Sequence, residues 1–199
     1  MVSSSAPTQN PTDARDRLLK LFKSRAVFFG NFTLASGKQS TYYINSKKAI
    51  FNAEAVWLLG EVIYQMTRSM NIQAIGGPEV GAIPMATATA MRYHDQGQSI
   101  EAFYVRKQAK GHGSKEMVEG VVRPGDKVAM LDDVLTTGGS VLQAIKEVER
   151  LGAEVAAVVC IVDRLEGARE TLANYDFLPI FTIRDFGIEP PDSTSGFPA

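Results

Sequence analysis

One cysteine, Cys160, stands in a chain of 199 residues, so neither an intrachain disulfide nor a cysteine cluster for a metal can form. It lies in the apolar run VAAVVCIV, where a small core residue is expected. Net charge is almost missing too. The 21 Lys and Arg against 22 Asp and Glu leave −1, which argues against a protein that coats nucleic acid with a basic face. No apolar stretch is long enough to span a bilayer, and MVSSSAPTQNPTDARD lacks the apolar centre of a secretory signal. The cytoplasm is the expected compartment, with neither membrane nor nucleic acid as a partner. No internal repeat is visible.

What is present fits a single globular domain with a proper core. Residues 1–12 and 187–199 are rich in Ser, Thr and Pro and are expected to be tails around one domain, 13–186. Ala14, Leu18, Leu21 and Phe22 follow helical spacing, and Val56, Leu59, Ile63, Met66 and Met70 predict a helix over 53–70. NIQAIGG reads as a strand closed by glycine, AIPMATATAMRY as a helix, and SIEAFYV as a strand. KVAML, VLQAIKEVERLG and EVAAVVCIV read as strand, helix and strand, with Gly152 ending the helix and FLPIFTI a last strand. Strands that are apolar almost throughout and alternate with helices indicate an α/β doubly wound fold with a parallel sheet covered on both faces. Ligands bind such folds at the carboxyl ends of the strands.

VAMLDDVLTTGGS, residues 128–140, occupies such an end and carries an apparent contradiction. Asp132 and Asp133 repel anions, yet TTGGS ahead of a helix is suited to hold a phosphate through backbone N–H groups and the hydroxyls of Thr136, Thr137 and Ser140. A ligand with a phosphate at one end and a hydroxylated ribose beside it satisfies both. The carboxylates would accept from the sugar hydroxyls, attract Mg²⁺ and stabilise positive charge at the anomeric carbon. The plainer alternative is a helix-capping turn, since Ser140 and Gln143 have capping-box spacing. Capping accounts for one residue and not for the string.

Residues 106–119, RKQAKGHGSKEMVE, break the alternation. Arg106, Lys107, Lys110 and Lys115 occur with no acidic residue between Glu101 and Glu116, and glycines flank His112. The segment is either a solvated surface loop or a functional one; loops of this length in compact domains are often the latter. His94, in MRYHDQG, is expected only to end a helix.

VAMLDDVLTTGGS resembles the phosphoribosyl pyrophosphate (PRPP) signature of the type I phosphoribosyltransferases, whereas GxGxxG and GKS/GKT are absent. FTLASGKQSTYYINSKKA, RKQAKGHGSKEMVEG and CIVDR resemble three further segments of the orotate phosphoribosyltransferase family, and the likeness runs from about Leu18 to about Ile183. It implies a type I phosphoribosyltransferase-like fold: a mostly parallel sheet flanked by helices, a small N-terminal hood and a flexible lid loop at 106–119. The implied reaction is Mg²⁺-dependent transfer of the phosphoribosyl group from PRPP to orotate, giving orotidine 5′-monophosphate and pyrophosphate in pyrimidine synthesis. In the family pyrophosphate leaves C1 with inversion through an oxocarbenium-like state, and lid closure excludes water.

On the same resemblance, Asp132 and Asp133 hold the ribose hydroxyls. Asp133, Val134, Leu135, Thr136, Thr137, Gly138, Gly139 and Ser140 wrap the 5′-phosphate, and GGPEVGA, 76–82, meets the pyrophosphate through donors exposed by its glycines. Arg106, Lys107, Lys110 and His112 bind PRPP and assist its leaving group, Lys107 foremost. Arg164 and Thr136 bind orotate, the guanidinium matching its carboxylate, while Tyr42 and Tyr43 are candidates to stack on the pyrimidine. For Asp163–Arg164 the plainer alternative is a surface ion pair. Mg²⁺ arrives with PRPP near Asp132 and Asp133 rather than in a site of its own. The family pairs two subunits so that the lid of one covers the PRPP of the other, so a homodimer with shared sites is expected.

Two features depart from the family's pattern. Ala35 stands where some members have a lysine after FTL, leaving Lys38, Lys47 or Lys48 as substitutes, and Glu79–Val80 stands where an aromatic–lysine pair is common. Transfer to a different base, and a non-catalytic PRPP-sensing regulator, remain as alternatives; the second would need a basic face or an added DNA-binding module.

Overall fold

The computed structural model describes residues 11–33, 39–108 and 116–190. Helix α1 (Pro11–Arg25) leads into an antiparallel hairpin, β1 (Val27–Thr33) and β2 (Gln39–Ile44), which forms a two-stranded sheet of its own. Then come a turn of helix α2 (Lys47–Ile50), α3 (Ala53–Thr67), β3 (Ala74–Pro78), α4 (Ala82–Asp95), β4 (Glu101–Val105) and the short β5 (Val118–Glu119). The chain closes with β6 (Lys127–Leu135), α5 (Gly139–Arg150), β7 (Glu154–Asp163), α6 (Ala168–Thr171), β8 (Phe177–Thr182) and a 3-10 turn, Ile183–Phe186.

The second sheet has the order β5-β4-β3-β6-β7-β8, parallel throughout except for β4 with β5. From β3 the chain moves outward to β4, then returns to the other side of β3 as β6 and continues outward through β7 and β8. The direction reverses between β3 and β6, and a crevice opens at the carboxyl ends of strands at such a reversal. Alternation along β6 supplies both faces. Ala129 and Leu131 join a core with α1, α3 and α4, while Val128 and Met130 join a second core under α5. Cys160 is fully buried in that second core, as expected of it. None of the described helices is long and apolar enough to cross a membrane.

Some boundaries differ from the sequence expectation. The 53–70 helix stops at Thr67, and α1 starts at Pro11, inside the expected tail. Ile188, beyond the expected domain end, is 8% exposed and packs in the first core. The strand KVAML continues through the acidic pair to Leu135 because Asp132 and Val134 keep their register with Cys160 and Val162 of β7. Gly152 does follow α5 with φ 86°, in the left-handed region where glycine ends helices.

Candidate active site

The crevice is built from four pieces of chain. The end of β6 and the start of α5 form its floor, the β3–α4 turn one wall, and the end of β7 the other; the hairpin and α2 reach in from the N-terminal part.

Asp132 and Asp133 are each 8% exposed. Burial, and then the negative charge of Asp133, push the Asp132 carboxyl up to about 8. Burial alone would raise Asp133 as well. The Ser46 hydroxyl and the Lys47 ammonium, 2.9 Å away and both donating to its Oδ2, outweigh burial and hold it below the usual carboxylate range. Near neutrality the pair therefore carries one negative charge rather than two. This eases the contradiction in the sequence, since an anion beside the pair would face one negative charge rather than two. Of the three lysines weighed as substitutes near Ala35, Lys47 touches the acidic pair. Lys48 lies over the Phe28 ring, and Lys38, like Ala35, is outside the described residues.

Close approach to Asp133 fixes the residue opposite it. A Cβ on Gly81, at the start of α4, would lie 2.5 Å from the Asp133 carboxyl carbon, so a side chain there would displace the carboxylate. Gly76 and Gly77, read from sequence as turn residues exposing donors, instead lie inside β3 and pair with Phe103 and Tyr104 of β4. The turn proper is Glu79–Val80–Gly81.

Thr136 and Thr137 follow β6, and α5 begins at Gly139 with Gly138 as its cap at φ 79°, a conformation glycine adopts without strain. No side chain caps this helix among the described residues, so the Ser140–Gln143 capping box does not form. The first N–H groups of a helix have no partner within it. With Thr137, Gly139 and Ser140 exposed, they form an anion cradle. Val134 is half-buried and Leu135 buried, so only their backbone can serve a ligand.

Arg164 leaves the end of β7, and its N–H donates to Leu135 O at 2.9 Å, tying it to the last residue of β6. Its guanidinium contacts Glu166 at 2.8 Å and not Asp163. Asp163 is fully buried, accepts from Leu165 N at 2.8 Å and faces Arg169 at 3.5 Å, so the surface ion pair weighed for Asp163–Arg164 is absent. Tyr42 cannot stack on a base as expected, because it is buried and turned to Arg164; Tyr43 is 44% exposed beside Phe32. Alternation along β2 separates the two rings. His94 sits in the last turn of α4, where its carbonyl accepts from Gly97 N.

The basic segment enters and leaves through described residues. Arg106 N donates to Met117 O at 2.8 Å, and the Arg106 guanidinium lies 3.5 Å from Glu119. Lys110, His112 and Lys115 lie outside the described residues. A cleft of about 560 Å³ separates this base from α5, with Pro78, Arg106, Lys107, Ser140, Gln143 and Lys146 on its walls. The Glu79 carboxylate is turned toward the same base, accepting the Lys107 N–H at 2.9 Å. The acid of the β3–α4 turn is thus occupied by a backbone donor. Glu79→Ala should speed hydrogen exchange at the Lys107 amide about tenfold, as expected for loss of roughly 1.4 kcal/mol of charge-assisted bonding; an unchanged rate would show that its protection lies elsewhere.

Comparison with known proteins gives the site its relatives. Residues 48–191 match the phosphoribosyl transferase domain family. An orotate phosphoribosyltransferase of Thermococcus kodakarensis is 43% identical over 178 residues, covering 87% of this chain and 94% of the relative. The Mycobacterium tuberculosis orotate phosphoribosyltransferase in complex with Fe(III) dicitrate superposes with a TM-score of 0.79 at 34% identity, over 88% of this chain and 99% of that one. The complex of the Mycobacterium tuberculosis enzyme with PRPP superposes with a TM-score of 0.75 at 30% identity, with the same coverage.

Proposed function

This chain belongs to the orotate phosphoribosyltransferase family and transfers the phosphoribosyl group of PRPP to orotate, and on that premise we propose how its residues divide the work. One observation carries the proposal. The acidic pair, the helix-start cradle and an arginine suited to a carboxylate converge at the reversal point of the sheet, with Arg164 bonded to the cradle's first residue. These are the three chemistries required by a ribose, a phosphate and a carboxylated base.

The 135–140 backbone and the hydroxyls of Thr136, Thr137 and Ser140 bind the 5′-phosphate. Asp132 and Asp133 accept from the ribose hydroxyls, and their shared charge stabilises the cation developing at the anomeric carbon. Lys107, with Arg106, Lys110 and His112, neutralises the departing pyrophosphate as the 106–119 segment covers the site and excludes water. Arg164 and Thr136 orient orotate.

Mg²⁺ fits this donor set as an ion brought by PRPP. It is commonly held by one or two carboxylates together with substrate phosphates, and Asp132 and Asp133 are two such carboxylates side by side. Bound there, it would offset diphosphate charge. A homodimer with shared sites completes the reading; exposed Phe51, Trp57 and Met91, on or beside α3 and α4, support an interface.

The direct test mixes the protein with PRPP, Mg²⁺ and orotate and follows orotate absorbance, then repeats with uracil, hypoxanthine and adenine. Turnover with another base but not orotate would reject the reading. Arg164→Ala should raise the KM for orotate roughly ten- to a hundredfold, corresponding to loss of about 1.5–3 kcal/mol of charge-assisted contact. The KM for PRPP should stay nearly constant; equal increases for both substrates would point to general damage instead.

A further inference from the structure

Tyr42 and Arg164 are far apart in sequence, yet the hairpin brings them into contact. Arg164 Nη2 donates to Tyr42 Oη at 2.9 Å, and the guanidinium carbon lies 5.2 Å from the centre of the ring. Tyr42 is itself held firmly. It is 8% exposed, and Ser40 Oγ both donates to its carbonyl at 2.7 Å and accepts from its N–H at 3.3 Å. Glu166 Oε1 contacts the same Nη2 at 2.8 Å but is buried without a hydrogen bond among the described residues, so this contact is one of charge without alignment.

A guanidinium has five N–H donors, two of them on Nη2. One of those two goes to Tyr42, and the nitrogen is pressed against Glu166. Arg164 Nε is buried and has no partner among the described residues. The arginine is thus gripped at one nitrogen, with donor capacity left over elsewhere on the group. An arginine side chain loses considerable rotamer freedom when a ligand immobilises it, and an arginine already fixed loses less. The aligned bond comes from Tyr42.

We propose that Tyr42 is a positioning residue for base recognition: its hydroxyl and ring hold Arg164 by Nη2 and preset the guanidinium for a carboxylate-bearing base. The proposal rests on the reading that Arg164 receives the carboxylate of orotate. Tyr42 acts through Arg164, so its contribution exists only while that arginine is present. Discrimination against uracil, which lacks the carboxylate, then depends on a residue of the N-terminal hairpin.

The test is a double-mutant cycle on the full chain with Tyr42→Phe, Arg164→Ala and the combination, measuring kcat and both KM values. Tyr42→Phe keeps the ring and should raise the KM for orotate about tenfold, with kcat and the KM for PRPP within about twofold. In the Arg164→Ala background the same change should have no further effect on orotate. If Arg164→Ala leaves the KM for orotate unchanged, the reading of Arg164 falls and the proposal with it. If Arg164→Ala raises that KM but Tyr42→Phe does not, or the two effects simply add, the proposal alone is overturned. A parallel rise in the KM for PRPP on Tyr42→Phe would also overturn it, by showing a structural role.

Discussion

Asp132→Asn is expected to give an inactive protein that unfolds at a higher temperature than the wild type. The Asp132 carboxyl is pushed up to about 8 by burial and by the Asp133 charge, so at pH 7 the folded chain holds a proton that the unfolded chain has released. The direction follows from that difference. Well below the ordinary value of 3.8, Asp132 is protonated in both states and costs nothing. As pH rises toward about 8, only the unfolded state gains from ionisation, and stability falls until the folded group ionises too. Asparagine is neutral throughout, so the advantage of the variant should grow across that window and level off above it. Asp133 runs the other way, held low by Ser46 and Lys47 and stabilising above the usual carboxylate range, but it is present in both proteins. One pKa unit is about 1.4 kcal/mol, and the rise from 3.8 to about 8 spans about four units, so even half of that rise is worth about 3 kcal/mol. For a domain of this size that is roughly 6–12 °C in Tm. Activity should fall at least about a hundredfold, because asparagine cannot ionise when Mg²⁺ and PRPP bind beside it and cannot accept from the ribose hydroxyls through two oxygens. Thermal unfolding of both proteins at pH 5 and pH 8, free of PRPP and Mg²⁺, reads the effect. A Tm difference that does not widen between the two pH values would show that Asp132 is not held protonated.

VAMLDDVLTTGGS was legible because its chemistry is local: the loop, the helix start and the carboxylates are neighbours in the chain. The place of Arg164, directly after an apolar strand, was legible for a similar reason, whereas its proposed role came from the resemblance of CIVDR. What each of these residues touches was not. Lys47 and Ser46 reach Asp133 across more than eighty residues, and nothing in the spacing of three candidate lysines singles out Lys47. Tyr42 and Tyr43 look equivalent in TYYI, and only the pairing of β2 with β1 decides which one turns inward. The hairpin itself left little trace, because VFFGNFT leaves its three aromatics half-buried or exposed and breaks register between Phe29 and Phe32. The glycines of β3 misled in the opposite direction. Read both as the close of a strand and as donors of the turn GGPEVGA, they are strand residues, kept small because a Cβ on Gly77 would come within 1.9 Å of the Leu131 carbonyl oxygen. Helix periodicity and apolar runs are properties of a segment, whereas strand order and side-chain partners are properties of the packed sheet.

Mixing two inactive variants, Lys107→Ala and Asp133→Asn, should restore about a quarter of wild-type activity if sites are shared between two subunits. The reasoning starts from where the two residues sit. Asp133 is at the end of β6, buried against Gly81 and Ser46, and belongs firmly to the cradle of its own chain. Lys107 lies at the root of the basic segment, its N–H held by Glu79. If the segment of one subunit covers the PRPP of the other, a mixed dimer contains one site with both defects and one with neither. Random pairing makes half of the dimers mixed, and each of those has one sound site of two, which gives the quarter. If the segment serves its own chain, every site in every dimer carries one defect and mixing changes nothing. Neither substitution threatens the fold. Lys107 is exposed, and asparagine at 133 keeps an oxygen that can accept from Ser46 while the half-exposed Lys47 turns to water. The mixture should be assayed after subunit exchange has been confirmed by mass spectrometry of differently labelled chains. Confirmed exchange without recovery would rule out the shared site and assign Lys107 to the reaction of its own subunit.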